Sequence, residues 1–263
     1  MSHPVQVLVL RAAGVNCDLE TAHAFEREGA SVTTLHVNRL LAHPTLLDHY
    51  EIFAMPGGFS YGDDIAGGKV LAVELRHRLL PALHAFVERG GLVLGICNGF
   101  QSLVKVGLLP GLGSRGCRQD VTLTNNDSDL YEDRWVTLEA CTSRTPFLEE
   151  GERFYLPVAH AEGKLVTLDE TVRDELWQRS HVALCYVDPD GRREVPFPFN
   201  PNGSIDGIAG LIDRTGRVLG LMPHPERHLF GYHHPQWTRR GMAPEGDGAR
   251  LFRRAVAAAR EAR

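Results

Sequence analysis

Gly91-Leu92-Val93-Leu94-Gly95-Ile96-Cys97-Asn98-Gly99-Phe100-Gln101 is the stretch that decides the fold. An apolar run ends in G-x-C-x-G and passes at once into helical spacing at Phe100, Leu103 and Val104. That order reads as strand, tight turn, helix, with flanking glycines that permit a nucleophile elbow. Such a turn lifts a thiol off the sheet edge and leaves it at a helix N-terminus. Unpaired backbone N–H groups and the helix dipole there favour a thiolate and can hold a developing oxyanion. A buried structural cysteine beside a glycine-rich turn fits the same residues, since free cysteine is among the most buried residue types. The elbow alone leaves both readings open.

Outward from this stretch, strands and helices alternate. Residues 5–10, 31–37, Ile52–Met55 and 92–96 read as strands, and residues 18–28 as a helix stopped by Gly29. Residues 65–88 read as helical, with Pro81 starting a second segment or kinking the first. Short connections between alternating elements predict an α/β fold with a parallel, doubly wound sheet whose functional residues gather outside the carboxyl ends of the strands. After Pro110 the pattern changes to short strands at 121–123, 135–138, 154–158, 182–187, 208–211 and 218–221. These predict a largely antiparallel extension continuous with the first sheet, followed by an amphipathic helix at 249–259. A single domain over residues 1–263 is expected.

The formal charge of −5, spread along the chain, argues against nucleic acid as the main partner. No basic, small-residue leader precedes the first strand and no apolar run reaches membrane-spanning length, so a cytoplasmic protein is expected. Cys17, Cys97, Cys117, Cys141 and Cys185 are odd in number and form no C-x-x-C, against a disulfide scaffold or a structural zinc site. Gly111 to Gly116 matches G-x-G-x-x-G, but follows a helix and precedes a strand, the reverse of a dinucleotide fingerprint. Gly67-Gly68-Lys69 is followed by Val70 where a phosphate loop needs Ser or Thr, so no ATP site is expected in this chain. His160-Ala161-Glu162 lacks the downstream P-C-x-x-C of zinc deaminases, and no metal site is expected.

Two further segments carry chemistry. Met222-Pro223-His224-Pro225-Glu226-Arg227 follows a strand and places a carboxylate two residues beyond a histidine, as a general base and its orienting group require. His160 and Glu162 have the same spacing, so spacing does not choose between the two histidines. Pro56-Gly57-Gly58-Phe59-Ser60-Tyr61-Gly62-Asp63 ends another strand, and its paired glycines allow backbone N–H groups to approach a ligand closely.

Taken in order, Pro56-Gly57-Gly58, Gly95 to Gln101 and Pro223-His224-Pro225-Glu226 resemble a class I glutamine amidotransferase, a flavodoxin-like fold. More narrowly, Asn16-Cys17-Asp18, Asn126-Asp127-Ser128, His160 to Gly163 and Asn200 to Ser204 are similar to glutaminase subunits that serve a purine-biosynthetic synthetase. The resemblance implies Cys97 as nucleophile, His224 as base and Glu226 as its orienting group. It implies Gly58 and Asn98 as oxyanion-hole donors, and Gln101, Asn126, Ser128 and Tyr131 as contacts to substrate glutamine. His160 would then lie near a partner interface. The partner implied is a synthetase that binds ATP and magnesium and receives ammonia, with a small accessory subunit left open. A stand-alone cysteine γ-glutamyl hydrolase or peptidase, and a catalytically silent module of the same fold, are the rival readings.

Overall fold

The computed structural model describes residues 3–112, 119–193 and 195–262. Cys117 and most of the Gly111 to Gly116 match lie outside them. The first half consists of β1 (Gln6–Arg11), α1 (Asp18–Arg27), β2 (Ser31–His36), α2 (Val37–Ala42), β3 (Ile52–Met55), α3 (Lys69–Arg78), α4 (Leu80–Glu88), β4 (Leu92–Ile96) and α5 (Asn98–Val106). The second half adds β5 (Val121–Thr124), β6 (Glu132–Ala140), β7 (Arg153–His160), β8 (Lys164–Thr167), α6 (Glu170–Gln178), β9 (Val182–Val187), β10 (Ile208–Ile212), β11 (Val218–Leu221), α7 (Trp237–Arg240) and α8 (Gly248–Glu261).

Nine strands form one sheet in the order β2-β1-β3-β4-β11-β10-β9-β6-β7. β2, β1, β3, β4 and β11 run parallel; β10, β9, β6 and β7 continue antiparallel. The apolar runs explain the centre, since every residue of β3, β4 and β11 is buried, as strands covered on both faces require. The connection from β1 to β2 crosses in the opposite direction to that from β3 to β4. Right-handed crossovers therefore put α1 on one face and α3 and α4 on the other. α8 closes the face of α1, where the Phe25 and Phe252 rings meet edge-on with centroids 4.9 Å apart. Such a pair adds about 1 kcal/mol beyond its buried area.

Three expectations need correction. The helix expected from residue 65 begins at Lys69, because Ile65 (φ 72°) and the Gly68 cap (φ 68°) are left-handed. Leu79 then separates α3 from α4, and Pro81 sits in the first turn of α4, where its missing N–H costs nothing. β11 belongs to the parallel half, paired with β4 from Val218↔Val93 to Leu221↔Ile96. β5 is not continuous with the main sheet; it pairs with β8 in a separate two-stranded sheet. Helices α2, α6 and α7 and strand β8 had no counterpart in the sequence reading. α6 does carry a local signal, Asp169, whose carboxylate accepts the Val172 N–H at 2.9 Å as an N-cap.

Candidate active site

β4 and β11 lie side by side and parallel, so their carboxyl ends deliver Cys97 and His224 to the same edge of the sheet. β1 and β3 deliver Cys17 and Gly57-Gly58 there too. Cys97 adopts φ 51° and ψ −107°, a conformation costly for a non-glycine residue, and caps α5. The elbow is held by close approach on both sides. A Cβ at Gly95 would stand 2.4 Å from Leu103 Cδ1, and one at Gly99 would stand 2.0 Å from the Met55 carbonyl oxygen. The Cys97 N–H donates to the Leu221 carbonyl at 2.8 Å, tying the turn to β11. The Cys97 thiol, nearly buried, donates to the Ala159 carbonyl at 3.7 Å.

His224 Nδ1 and Glu226 Oε1 are 2.6 Å apart, and both side chains are buried. Pro223 and Pro225 restrict the backbone around the ring, and the His224 N–H donates to Pro157 in β7 at 2.8 Å. Burial opposes a charge on His224. The Glu226 carboxylate outweighs it, joined by the nearby sulfurs of Cys97 and Cys17, and the imidazole pKa stands well above its ordinary value.

The pair at His160 does not form. Glu162 turns its carboxylate to the Gly67 N–H at 2.9 Å, while His160 Nδ1 faces Asn126 Oδ1 at 3.1 Å. Burial, helped by the charge of His224, lowers the His160 pKa to about 3, so this ring is neutral. Geometry thus separates two histidines that spacing left equal.

Gly57 passes between the two halves of the site: a Cβ there would lie 2.7 Å from His224 Cε1, 3.2 Å from Cys17 Sγ and 3.4 Å from Cys97 Cβ. Gly58 (φ 134°) bridges to Val15, and Asn98 is the first residue of α5, where its N–H lacks an intrahelical partner. The Asn98 side chain builds the loop after β3: its Oδ1 accepts the Ser60 N–H at 3.1 Å, and its Nδ2 donates to Asp63 at 2.8 Å and to Gln101 at 2.9 Å.

The four expected glutamine contacts divide. Gln101 is buried, with its Oε1 taken by Asn98 and its Nε2 donating to the Glu162 carbonyl at 2.7 Å. Asn126 is also buried and fully engaged. Its Nδ2 donates to the Leu130 and His160 carbonyls, and its Oδ1 accepts the Gly163 N–H. Ser128 and Tyr131 remain at the surface, and Tyr131 feels the charges of both Cys97 and His224. Gln101 and Asn126 therefore shape the loops that would meet a ligand.

Sequence reasoning assigned no role to Cys17. Its Sγ, buried, donates to Asn16 Oδ1 at 3.2 Å and accepts from Arg227 Nη2 at 3.2 Å, while Arg227 Nε donates to Glu20 at 2.8 Å. Burial pushes its pKa up, partly offset by the His224 ring beside it.

Comparison with known proteins decides the family. The model of the CobB/CobQ-like glutamine amidotransferase domain matches residues 4–257. The chain belongs to this glutamine amidotransferase family. It is 46% identical over 258 residues, 98% of each chain, to phosphoribosylformylglycinamidine synthase subunit PurQ of Dehalococcoides mccartyi. The same subunit of Methanococcus maripaludis is 39% identical over 88% of this chain and 85% of its own. Among solved structures, PurLQS from Thermotoga maritima matches with a TM-score of 0.72 and 30% identity over 97% of this chain and 98% of that one. As in the amidotransferase reading, the sheet of this glutamine amidotransferase is mainly parallel with an antiparallel extension.

Proposed function

We infer that this chain is the glutaminase subunit of a phosphoribosylformylglycinamidine synthase. It hydrolyses glutamine to glutamate and ammonia, and the ammonia passes to an ATP-dependent synthetase in purine biosynthesis. The observation that carries this reading is the buried 2.6 Å His224–Glu226 pair set beside the strained Cys97 turn on adjacent parallel strands.

In this reading His224 takes the Cys97 thiol proton, and the sulfur attacks the glutamine side-chain amide carbon. The N–H groups of Gly58 and Asn98 hold the oxyanion. His224 protonates the departing ammonia and then activates water, which releases glutamate from the thioester. Glu226 keeps the ring oriented and stabilises its charged form.

The substrate mouth carries exposed apolar side chains, Phe59, Ile65, Leu130 and Tyr131, which suit a protein partner that would exclude water and confine ammonia. ATP and magnesium belong to the synthetase, in keeping with the poor phosphate-loop match at Gly67-Gly68-Lys69-Val70. The complex works in the cytoplasm. No helix among the described residues is long and apolar enough to cross a membrane.

The test is Cys97→Ala in the complex with the synthetase. Glutamine-dependent synthesis should fall by at least about 10³-fold, as expected on loss of a covalent nucleophile, while ammonia-dependent synthesis persists. Glutamine hydrolysis at the original rate in that variant would remove Cys97 from the role.

A further inference from the structure

Cys17 is a second thiol in the site, and glutamine hydrolysis gives it no task. Its Sγ, a ring nitrogen of His224 and a carboxylate oxygen of Glu226 all lie within 4.8 Å of one another, and all three residues are buried. Sulfur, imidazole nitrogen and carboxylate oxygen are the donor types that zinc accepts. With bonds of about 2.0–2.3 Å, the donors of a tetrahedral site stand roughly 3.3–3.7 Å apart, so this cluster needs an adjustment of about 1 Å.

Two independent observations point to a ligand. Glu226 Oε2 is buried and makes no hydrogen bond. A surface depression lined by Glu20, His23, Arg227 and His233 reaches Glu226, giving a cation a route past a carboxylate and two imidazoles. Arg227 is the opposing charge. It is paired with Glu20, and its second contact is a hydrogen bond to the Cys17 sulfur.

We propose that Cys17, His224 and Glu226 form an inhibitory site for a thiophilic divalent cation, zinc being the ion that suits this donor set. Binding forms metal–sulfur, metal–nitrogen and metal–oxygen bonds without redox change. The Cys17 thiol proton leaves to solvent, as does the second imidazole proton where His224 is charged. Thiolate and carboxylate together balance the dication, so the buried complex is neutral. With the metal in place His224 no longer serves Cys97, and glutamine hydrolysis stops until the ion is removed. That consequence rests on the proposed function; the binding does not.

Cobalt(II), titrated into the purified full chain without oxygen, is the probe, because a cobalt–thiolate bond gives a near-ultraviolet charge-transfer band. One equivalent should produce the band in the unaltered chain and in Cys97→Ala. Cys17→Ala should lack it, and Cys17→Ser serves the same test where alanine disturbs folding, each checked by its thermal transition. In the complex with the synthetase, zinc should inhibit glutamine hydrolysis reversibly toward EDTA. The half-inhibitory zinc concentration should rise at least about 30-fold in Cys17→Ala, in line with the losses seen when metal-site groups are removed. No band in the unaltered chain, a band that survives loss of Cys17, or a band lost only with Cys97 would overturn the proposal. A complex that hydrolyses no glutamine even without metal would instead defeat the functional reading, while the cobalt band still decides the site.

Discussion

The carboxyl edge of the parallel strands and the polar network around the turn between β7 and β8, at the same edge of the sheet, use buried polar groups in opposite ways. Around Asn202, polar atoms close on one another. Its Nδ2 donates to the Gly163 carbonyl at 2.9 Å, and its Oδ1 accepts from Ser204 N at 3.0 Å and Oγ at 2.7 Å. At the parallel edge, His224 Nε2, Glu226 Oε2, Ser60 Oγ and Lys105 Nζ are buried without hydrogen bonds. Left-handed non-glycine residues also gather there, at Tyr61, Asp63, Ile65 and Cys97. A closed network fixes one structure, whereas open valences and stored strain are what a reacting substrate can use. His160 stands between the two regimes, bonded to Asn126 through one nitrogen and orphaned at the other.

Substitutions on the two sides should therefore fail differently. The largest effect after loss of Cys97 belongs to Glu226→Gln, which removes the charge that stabilises the protonated form of His224. Glutamine turnover should drop by about 10²-fold or more while the fold survives. The His224 pKa is raised in the folded state, so its contribution to stability is complete below the unfolded value near 6.5 and fades as pH rises through the folded value. The stability gap between Glu226→Gln and the unaltered chain should thus be widest in mild acid and narrow in base, as urea titrations at several pH values would reveal. A uniform gap would break the assignment of the pair.

Next in size is Asn202→Ala on the closed side. Leaving its partners unsatisfied should cost about 2 kcal/mol by chemical denaturation, with little change in the reactivity of Cys97. Comparable loss of reactivity there would erase the distinction between the two regions. His160 gives an effect of similar kind through pH. Its pKa is depressed to about 3, so the neutral ring is stable above the unfolded value near 6.5, and stability drains as pH falls from there toward 3. The drain is about 1.4 kcal/mol per pH unit at its steepest, and His160→Gln should flatten it. The smallest effect is expected from Tyr131→Phe at the exposed mouth, a change in KM of no more than about threefold with kcat preserved, because the aromatic face stays in place.

How much of this was legible follows from distance along the chain. The elbow, the proline-flanked histidine and the glycine pair each carry their signal within a few residues, so Cys97, His224 and Gly57-Gly58 stood out as candidates, although spacing alone left His160 equal to His224. The parallel character of β1 to β4 was legible in the same way, since helices alternate with the strands; their order in the sheet was not. Cys17 could not be read as a site residue. It comes from β1, which is separated from β11 by β3 and β4, and it reaches His224 where Gly57 has no Cβ. The side chains of Gln101 and Asn126 looked available because their buried partners, Glu162 and Gly163, lie far away in sequence. β5 and β8 read poorly for the same reason, as four residues pair with four others across 40 positions and no local turn announces them.

The central claim is that the reactive thiol is Cys97, activated by His224, and not the neighbouring Cys17. The direct measurement is labelling of the chain, in complex with its synthetase, by the glutamine analogue diazo-oxo-norleucine, followed by peptide mass analysis. The account predicts one adduct per chain, on Cys97, lost in His224→Ala and protected by glutamine. An adduct on Cys17, or none at all, would contradict it.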